Sequence, residues 1–298
     1  MASPSDDFPA WLERMRVSVD RALDAKLPGP DTPPPRLHQA MRHAVLNGGK
    51  RLRAILCLTA AETVSGSADS AWPAALGLEL LHAYTLVHDD LPAMDDSPLR
   101  RGRPSCHVAF GEAVAILAGD ALLTLAWEWL AETAPAGPWT AADLVRVLAR
   151  AAGSHGVAGG QVDDLDAEGR ELTEAEMKSI HDRKTGVLLT ASLELGAMAA
   201  GADEATLGVL RRYGTHLGLA FQIADDILDA TADADVLGKP TGHDAELAKS
   251  TYVSLFGVDE ARRKARAEAD RAIDALADSG LTAPRLERLA RYMVDRTS

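Results

Sequence analysis

The sequence predicts an all-α protein. Apolar residues recur at helical spacing along most of its 298 positions, strand-like alternation is almost absent, and proline or glycine clusters separate the periodic segments. With 47% hydrophobic residues the chain has material for a sizeable interior. No repeat, low-complexity tract or obvious linker interrupts it, so residues 1–298 are expected to form one large helical domain, with 1–7 disordered.

Taken in order, Trp11 to Lys26 is amphipathic and ends at the proline-rich stretch Leu27 to Arg36, which cannot continue a helix. Leu37 to Leu46 is a short helix stopped by Asn47-Gly48-Gly49. Lys50 to Thr63 and Trp72 to Asp90 are long and apolar, and Pro92 ends the second. Arg103 to Thr133 is predicted as one helix around the apolar run Val114 to Leu130, and Ala134 to Pro138 as a turn. Thr140 to Gly160 follows, then Thr173 to Ala200, whose Thr173-Glu-Ala-Glu176 start is a capping box. Asp203 to Asp229 and two C-terminal helices, Asp259 to Ala277 and Pro284 to Val294, complete the series.

Charge and cysteine content narrow the function classes. Against 31 basic residues stand 44 acidic ones, a net charge of −13, which argues against binding nucleic acid nonspecifically. Cys57 and Cys106 allow at most one bridge and have no metal-ligand spacing, so a reducing cytoplasm is the expected setting. The polar, acidic start lacks the pattern of a secretory leader. The segment Val187 to Ala202, read as the most apolar long stretch, is too short for a membrane span and carries Glu194, so no membrane association is expected.

Two acidic clusters stand out. His88-Asp89-Asp90-Leu-Pro-Ala-Met-Asp95-Asp96 and Gln222-Ile-Ala-Asp225-Asp226-Ile-Leu-Asp229 are flanked by apolar residues, unlike a solvated acidic loop. Carboxylates entering an apolar interior must be paired or hold a metal. Asp225 and Asp229 share a helix face with Asp226 beside them, and Pro92 turns the chain so that Asp95 bends back towards Asp89 and Asp90. Facing clusters of hard oxygen ligands suggest several divalent cations, and Mg²⁺ suits them because it is usually shared with substrate phosphates. A surface acidic turn is the alternative for either cluster alone.

Basic residues supply the counterpart. Gly48-Gly49-Lys50-Arg51-Leu52-Arg53 reads as a helix opening, where backbone N–H groups and the positive dipole end attract anions, with Lys50 and Arg53 on one face. Arg100-Arg101-Gly102 sets two guanidiniums, donors suited to phosphate, just after the first cluster. His82 lies two helical turns before Asp89, where a hydrogen-bonded core histidine is the competing reading. Lys184-Thr185-Gly186 interrupts a helix, as an ordinary kink with a snorkelling lysine also would.

In order along the chain, Gly-Gly-Lys50-Arg-Leu-Arg53, His82, Asp89-Asp-x4-Asp95, Arg100-Arg101-Gly, Gly159-Gly-Gln161-x-x-Asp164, Lys184-Thr185-Gly, Gln222-x-x-Asp225-Asp-x-x-Asp229 and Leu-Gly-Lys239 resemble the motifs of the trans-isoprenyl diphosphate synthases, or polyprenyl synthetases. Within that family the bacterial enzymes of fifteen-carbon, farnesyl, product are the nearest match. The likeness runs from about Arg36 to Arg296, and the ordered set is specific where any one motif is weak.

The resemblance implies an isoprenoid-synthase bundle around a central active-site cavity and three Mg²⁺ ions, with Mn²⁺ able to substitute. It implies Asp89, Asp90 and Asp95 opposite Asp225 and Asp229 as ligands, with Asp226 alongside. Arg100, Lys184, Thr185, Gln222 and Lys239 would surround the allylic diphosphate or the developing charge, with Lys249 assisting. Lys50, Arg53, His82 and Arg101 would hold isopentenyl diphosphate. The implied reaction is 1′-4 head-to-tail condensation of isopentenyl diphosphate with dimethylallyl or geranyl diphosphate by a cytoplasmic homodimer, releasing pyrophosphate.

Tyr84 and Thr85 precede Asp89 by five and four residues, about 7.5 and 6 Å along the helix. In the family an aromatic with a small hydroxyl residue here accompanies a fifteen-carbon product; twenty- or ten-carbon products are the alternatives, and an aromatic that merely packs the core is the structural one. Ser97-Pro98 departs from the acidic residues many members carry, which puts the loop's shape and metal affinity in question. A class I terpene cyclase would not need the Lys50, Arg53 and His82 site. A non-catalytic partner subunit would have lost acidic ligands.

Overall fold

The computed structural model describes residues 7–231 and 250–295. These residues are all-α apart from one two-stranded ribbon. The chain divides into two compact units, Met1–Ile55 with Trp72–Thr133, and Leu56–Ala71 with Ala134–Ser298. The expected disorder of 1–7 falls outside the described residues except at Asp7, whose carbonyl accepts the Trp11 N–H at 2.9 Å and so begins a helix.

The first unit contains α1 (Phe8–Lys26), α2 (Pro35–Val45), the start of α3 (Leu52–Ser65), α4 (Trp72–Asp89), α5 (Cys106–Phe110) and α6 (Glu112–Ala131). Helix α4 is apolar all round and buries Ala74 to Leu81 without interruption, as a core helix does. It packs on α6 at Gly77, where a Cβ would lie 2.9 Å from the Ala126 carbonyl oxygen, so only glycine permits that approach. Helix α1 buries Trp11, Val19 and Leu23 and sets the Lys26 ammonium over the Trp129 ring at 5.0 Å.

In the second unit α7 (Ala141–Ala152), α8 (Val157–Asp166), α9 (Glu174–His181), α10 (Val187–Ala199) and α11 (Glu204–Thr231) precede α12 (Tyr252–Phe256), α13 (Val258–Ala277) and α14 (Pro284–Asp295). Helix α11 runs along α10 and α13 and buries fifteen residues, including Tyr213, whose hydroxyl donates to the Leu286 carbonyl of α14 at 2.7 Å. The capping box at Thr173 forms, with the Thr173 hydroxyl and the Glu176 carboxylate satisfying each other's backbone N–H groups.

Several expected helices are subdivided. Arg103 to Thr133 is not one helix: strands β1 (Leu99–Arg100) and β2 (Arg103–Pro104) pair antiparallel, α5 follows, and Gly111 at φ 85° breaks the chain before α6. Thr140 to Gly160 breaks between Ala152 and Val157, at Gly153 and Gly156. Thr173 to Ala200 stays helical but carries a π turn at Asp182–Gly186, which is where Lys184-Thr185-Gly186 falls. Helix α12 has five residues, too few for periodicity to register in the sequence. Helix α6, not Val187 to Ala202, is long and apolar enough to cross a membrane by length and composition, a test that core helices also pass.

Candidate active site

The basic site lies within the first unit. Helix α3 starts at Leu52 rather than Lys50, because Gly48 (φ 75°), Gly49 (φ 120°) and Arg51 (φ 54°) all take left-handed backbone. Lys50 and Arg53 therefore do not share a helical face by three-residue spacing, and the helix opening is partly closed: the Ala54 N–H donates to Glu79 Oε1 at 3.1 Å. Arg51 turns into the protein, where it is 5% exposed. Its Nε donates to Asp20 Oδ1 at 2.7 Å and its Nη2 to the Val45 carbonyl at 2.7 Å, while its Nη1 lies 3.5 Å from Glu79 Oε2.

The β1–β2 ribbon presents Arg100 and Arg101 at its turn. Arg101, at φ 54°, donates to the Gly48 carbonyl and lies across Gly49, where a Cβ would come 2.6 Å from its guanidinium. Asn47 Nδ2 donates to the Arg100 carbonyl at 2.8 Å, tying loop to ribbon. His82 faces this group: burial, then the charges of Arg53, Arg101, Arg100 and Arg51, push its pKa well below the usual imidazole value. It is thus neutral at physiological pH and contributes hydrogen bonding without charge.

At the end of α4 the Asp95 N–H donates to the Asp89 carbonyl at 2.9 Å, so the chain does fold back. Asp90 is 2% exposed and accepts from Arg100 Nε at 3.0 Å and from its Nη2. Burial raises the Asp90 pKa, and Arg100 opposes that shift. Asp89 and Asp95 are partly buried. Tyr84 stacks edge-on against His88 at 5.5 Å, and burial followed by the charge of Asp89 raises its phenol pKa. The Thr85 hydroxyl donates to the His82 carbonyl one turn back at 2.8 Å.

In the second unit the π turn carries Lys184 and Thr185. Gly160 of α8 lies so close that a Cβ there would clash with the Lys184 backbone N, and a Cβ on Gly218 of α11 would sit 2.6 Å from the Gly186 Cα. Glycine at both contacts lets α8 and α11 close on the wide turn. Lys184 Nζ donates to Asp164 Oδ2 at 2.7 Å. The Thr185 hydroxyl donates to Gln222 Oε1 at 3.0 Å, and Gln222 Nε2 donates to Asp226 Oδ1 at 3.2 Å.

Asp226, 3% exposed, also accepts the Tyr252 backbone N–H at 2.9 Å. His181 stacks on the Tyr252 ring at 6.0 Å with its Nε2 3.9 Å from Asp226, and burial lowers its pKa to about 4. Asp225 and Asp229 lie one turn apart on α11. Lys239 and Lys249 lie outside the described residues.

Among the described residues, no three His, Cys, Asp or Glu side chains form a ready-made metal cage. The donors are all carboxylate oxygens, which fits a Mg²⁺ whose shell is completed by water and phosphate oxygens better than a closed protein site.

Sequence reasoning names Arg51 in the basic segment without a role of its own and passes over Glu79, although Glu79 gives a signal as the one charged residue among the apolar residues Ala74 to Leu81 of α4. It also gave no role to Asp164 or His181, whose partners are distant in sequence.

The polyprenyl synthetase family model matches residues 34–281. Farnesyl diphosphate synthase of Escherichia coli strain K12 is 44% identical over 97% of this chain and 99% of its own length. Among solved structures, an FPP/GFPP synthase from Zymomonas mobilis superposes with TM-score 0.83 at 35% identity, covering 97% of this chain and 99% of that one. A geranyltransferase from Helicobacter pylori, crystallised with magnesium and isoprenyl diphosphate, gives TM-score 0.84 at 30% identity over 99% and 98%.

Proposed function

This chain belongs to the polyprenyl synthetase family, and from that premise we propose that it is a trans-prenyltransferase that condenses isopentenyl diphosphate with dimethylallyl or geranyl diphosphate to farnesyl diphosphate. The observation that carries the reading is the built anion site of the first unit, a neutral histidine set among arginines beside a glycine-opened loop. A cyclase acting on a single diphosphate has no use for a second such site. Both compact units belong, in this reading, to one catalytic domain spanning 1–298.

Lys50, Arg53, His82 and Arg101 bind isopentenyl diphosphate. Arg100, Lys184, Thr185, Gln222, Lys239 and Lys249 serve the allylic diphosphate, where each cation about 4 Å from the departing pyrophosphate stabilises its charge by about 4 kcal/mol at an effective dielectric near 20. Mg²⁺, three ions in all with Mn²⁺ able to replace them, would supply further electrostatic stabilisation of the leaving group from Asp89, Asp90, Asp95, Asp225, Asp226 and Asp229. Asp90 and Asp226 are also engaged by Arg100 and by Gln222 and Tyr252, so each holds its neighbours in place as well.

The allylic cation left behind needs apolar walls free of nucleophiles, and the isopentenyl double bond attacks it with loss of a proton to pyrophosphate. Tyr84 and Thr85 set the product length. The enzyme is read as a cytoplasmic homodimer, and exposed Ile116 and Leu117 on apolar α6 support the dimer.

Timed incubation with labelled isopentenyl diphosphate, geranyl diphosphate and Mg²⁺, followed by mass spectrometry, is expected to yield the fifteen-carbon diphosphate and nothing when EDTA is added. A cyclised hydrocarbon, or no product with Mg²⁺ present, rejects the reading.

A further inference from the structure

We propose that Glu79, acting through Arg51, is a positioning residue for the isopentenyl diphosphate site, fixing the Gly48–Arg53 loop in the shape that receives a diphosphate. The inference rests on the reading of that loop as a diphosphate site.

Glu79 is 3% exposed in the middle of the apolar helix α4, and its two carboxylate oxygens are divided between two tasks. Oε1 accepts the Ala54 N–H in the first turn of α3, while Oε2 faces Arg51 Nη1 at 3.5 Å. Arg51 in turn spends Nη2 on the Val45 carbonyl, upstream of the loop, and Nε on Asp20. One carboxylate and one guanidinium thus tie down the chain on both sides of Gly48, Gly49 and Lys50.

The backbone between those ties is unlike any it would hold alone. Three of its four residues from Gly48 to Arg51 are left-handed, and for Arg51 that conformation is one an L side chain rarely adopts. Such a shape persists where its surroundings over-determine it. The contacts of Arg51 do so, and they explain why an arginine can occupy a position that otherwise suits glycine.

Charge gives the second reason. Arg51, Arg53, Arg100 and Arg101 are gathered near His82 and repel one another before any ligand arrives. Burial and the charge of Arg51 act against the Arg101 cation, whereas Glu79 and Asp20 support it. A carboxylate locked in α4 therefore offsets the repulsion from inside the protein, on a rigid element, and leaves the other cations disposed around the loop for an incoming anion. Glu79 does this without touching substrate, since its oxygens are directed to Ala54 and Arg51.

Glu79→Gln keeps the shape and removes the charge. Steady-state kinetics with each substrate varied in turn should show the KM for isopentenyl diphosphate rising on the order of tenfold, as for loss of one pre-organising charged contact. The turnover number should stay within about twofold and the KM for geranyl diphosphate should not move, a split that general destabilisation would not give.

Asp20→Asn, altering the more exposed partner of Arg51, should raise the same KM about threefold. It decides the matter if Glu79→Gln fails to fold as judged by circular dichroism. Folded variants whose KM for isopentenyl diphosphate is unchanged, or whose two KM values rise together, overturn the role of Glu79. Wild-type protein that consumes no isopentenyl diphosphate overturns the underlying reading instead.

Discussion

The same acidic pattern is stabilised in two different ways in the two units. At the end of α4 the buried carboxylate of Asp90 is met by a guanidinium, Arg100, ten residues on. On α11 the equally buried Asp226 accepts from two uncharged donors, the Gln222 amide and the Tyr252 N–H. The first arrangement binds an acid to a base that we propose as a diphosphate ligand, so that both charges depend on each other. The second builds a relay of neutral groups from Thr185 through Gln222 to Asp226 and leaves the nearby cation, Lys184, to a separate acid, Asp164. A repeated motif therefore does not imply a repeated environment.

The comparison breaks most visibly if only one cluster matters. Asp89→Ala and Asp225→Ala should each lower turnover by about 10²- to 10⁴-fold, the range expected for losing several kcal/mol of metal-assisted charge stabilisation, with melting temperature little changed. A near-normal rate in either variant removes that cluster from the reaction.

A smaller effect sharpens the contrast between charged and neutral support. Asp90→Asn takes from the half-buried Arg100 its hydrogen-bonded carboxylate, with Asp89 and Asp95 still acting on it, and should cost about 1–3 kcal/mol of stability, less than a fully buried pair would. Asp226→Asn keeps one acceptor oxygen for the Gln222 amide and the Tyr252 N–H and should cost about 1 kcal/mol. Equal losses in urea titrations of the two variants would mean that the difference in partners has no energetic weight.

Smallest in energy, Tyr84→Ala should leave turnover within a few-fold while shifting product towards twenty carbons, because the ring lies along α4 about 7.5 Å from Asp89. Radiolabelled chain-length analysis showing an unchanged product would assign Tyr84 to packing against His88 alone.

Much of this was legible in the sequence because it is local. The long helices α4 and α11 show in their apolar runs, and the two aspartate clusters show in their spacing. What escaped depends on backbone conformation or on distant partners. Left-handed Arg51 has no propensity signature and moved the start of α3 two residues downstream of Lys50. Gly111 at positive φ split α5 from α6 inside what reads as one continuous helix. The relay from Thr185 to Asp226 joins residues 37 positions apart and then four, and only the second interval is visible as helical spacing.

The π turn at Asp182–Gly186 has a consequence for the geometry of everything after it. A wide turn holds one residue more than the α-helical count, and one residue is about 100° of rotation, so α10 emerges in a different phase from the one α9 would have dictated. Tightening this turn to α-helical geometry at the present chain length would roll Leu188, Leu189 and Leu193 by about 100°, out of the interior they now fill. The irregularity that presents Lys184 and Thr185 is thus written into the side-chain pattern of the whole following helix, which makes it as hard to erase as a core.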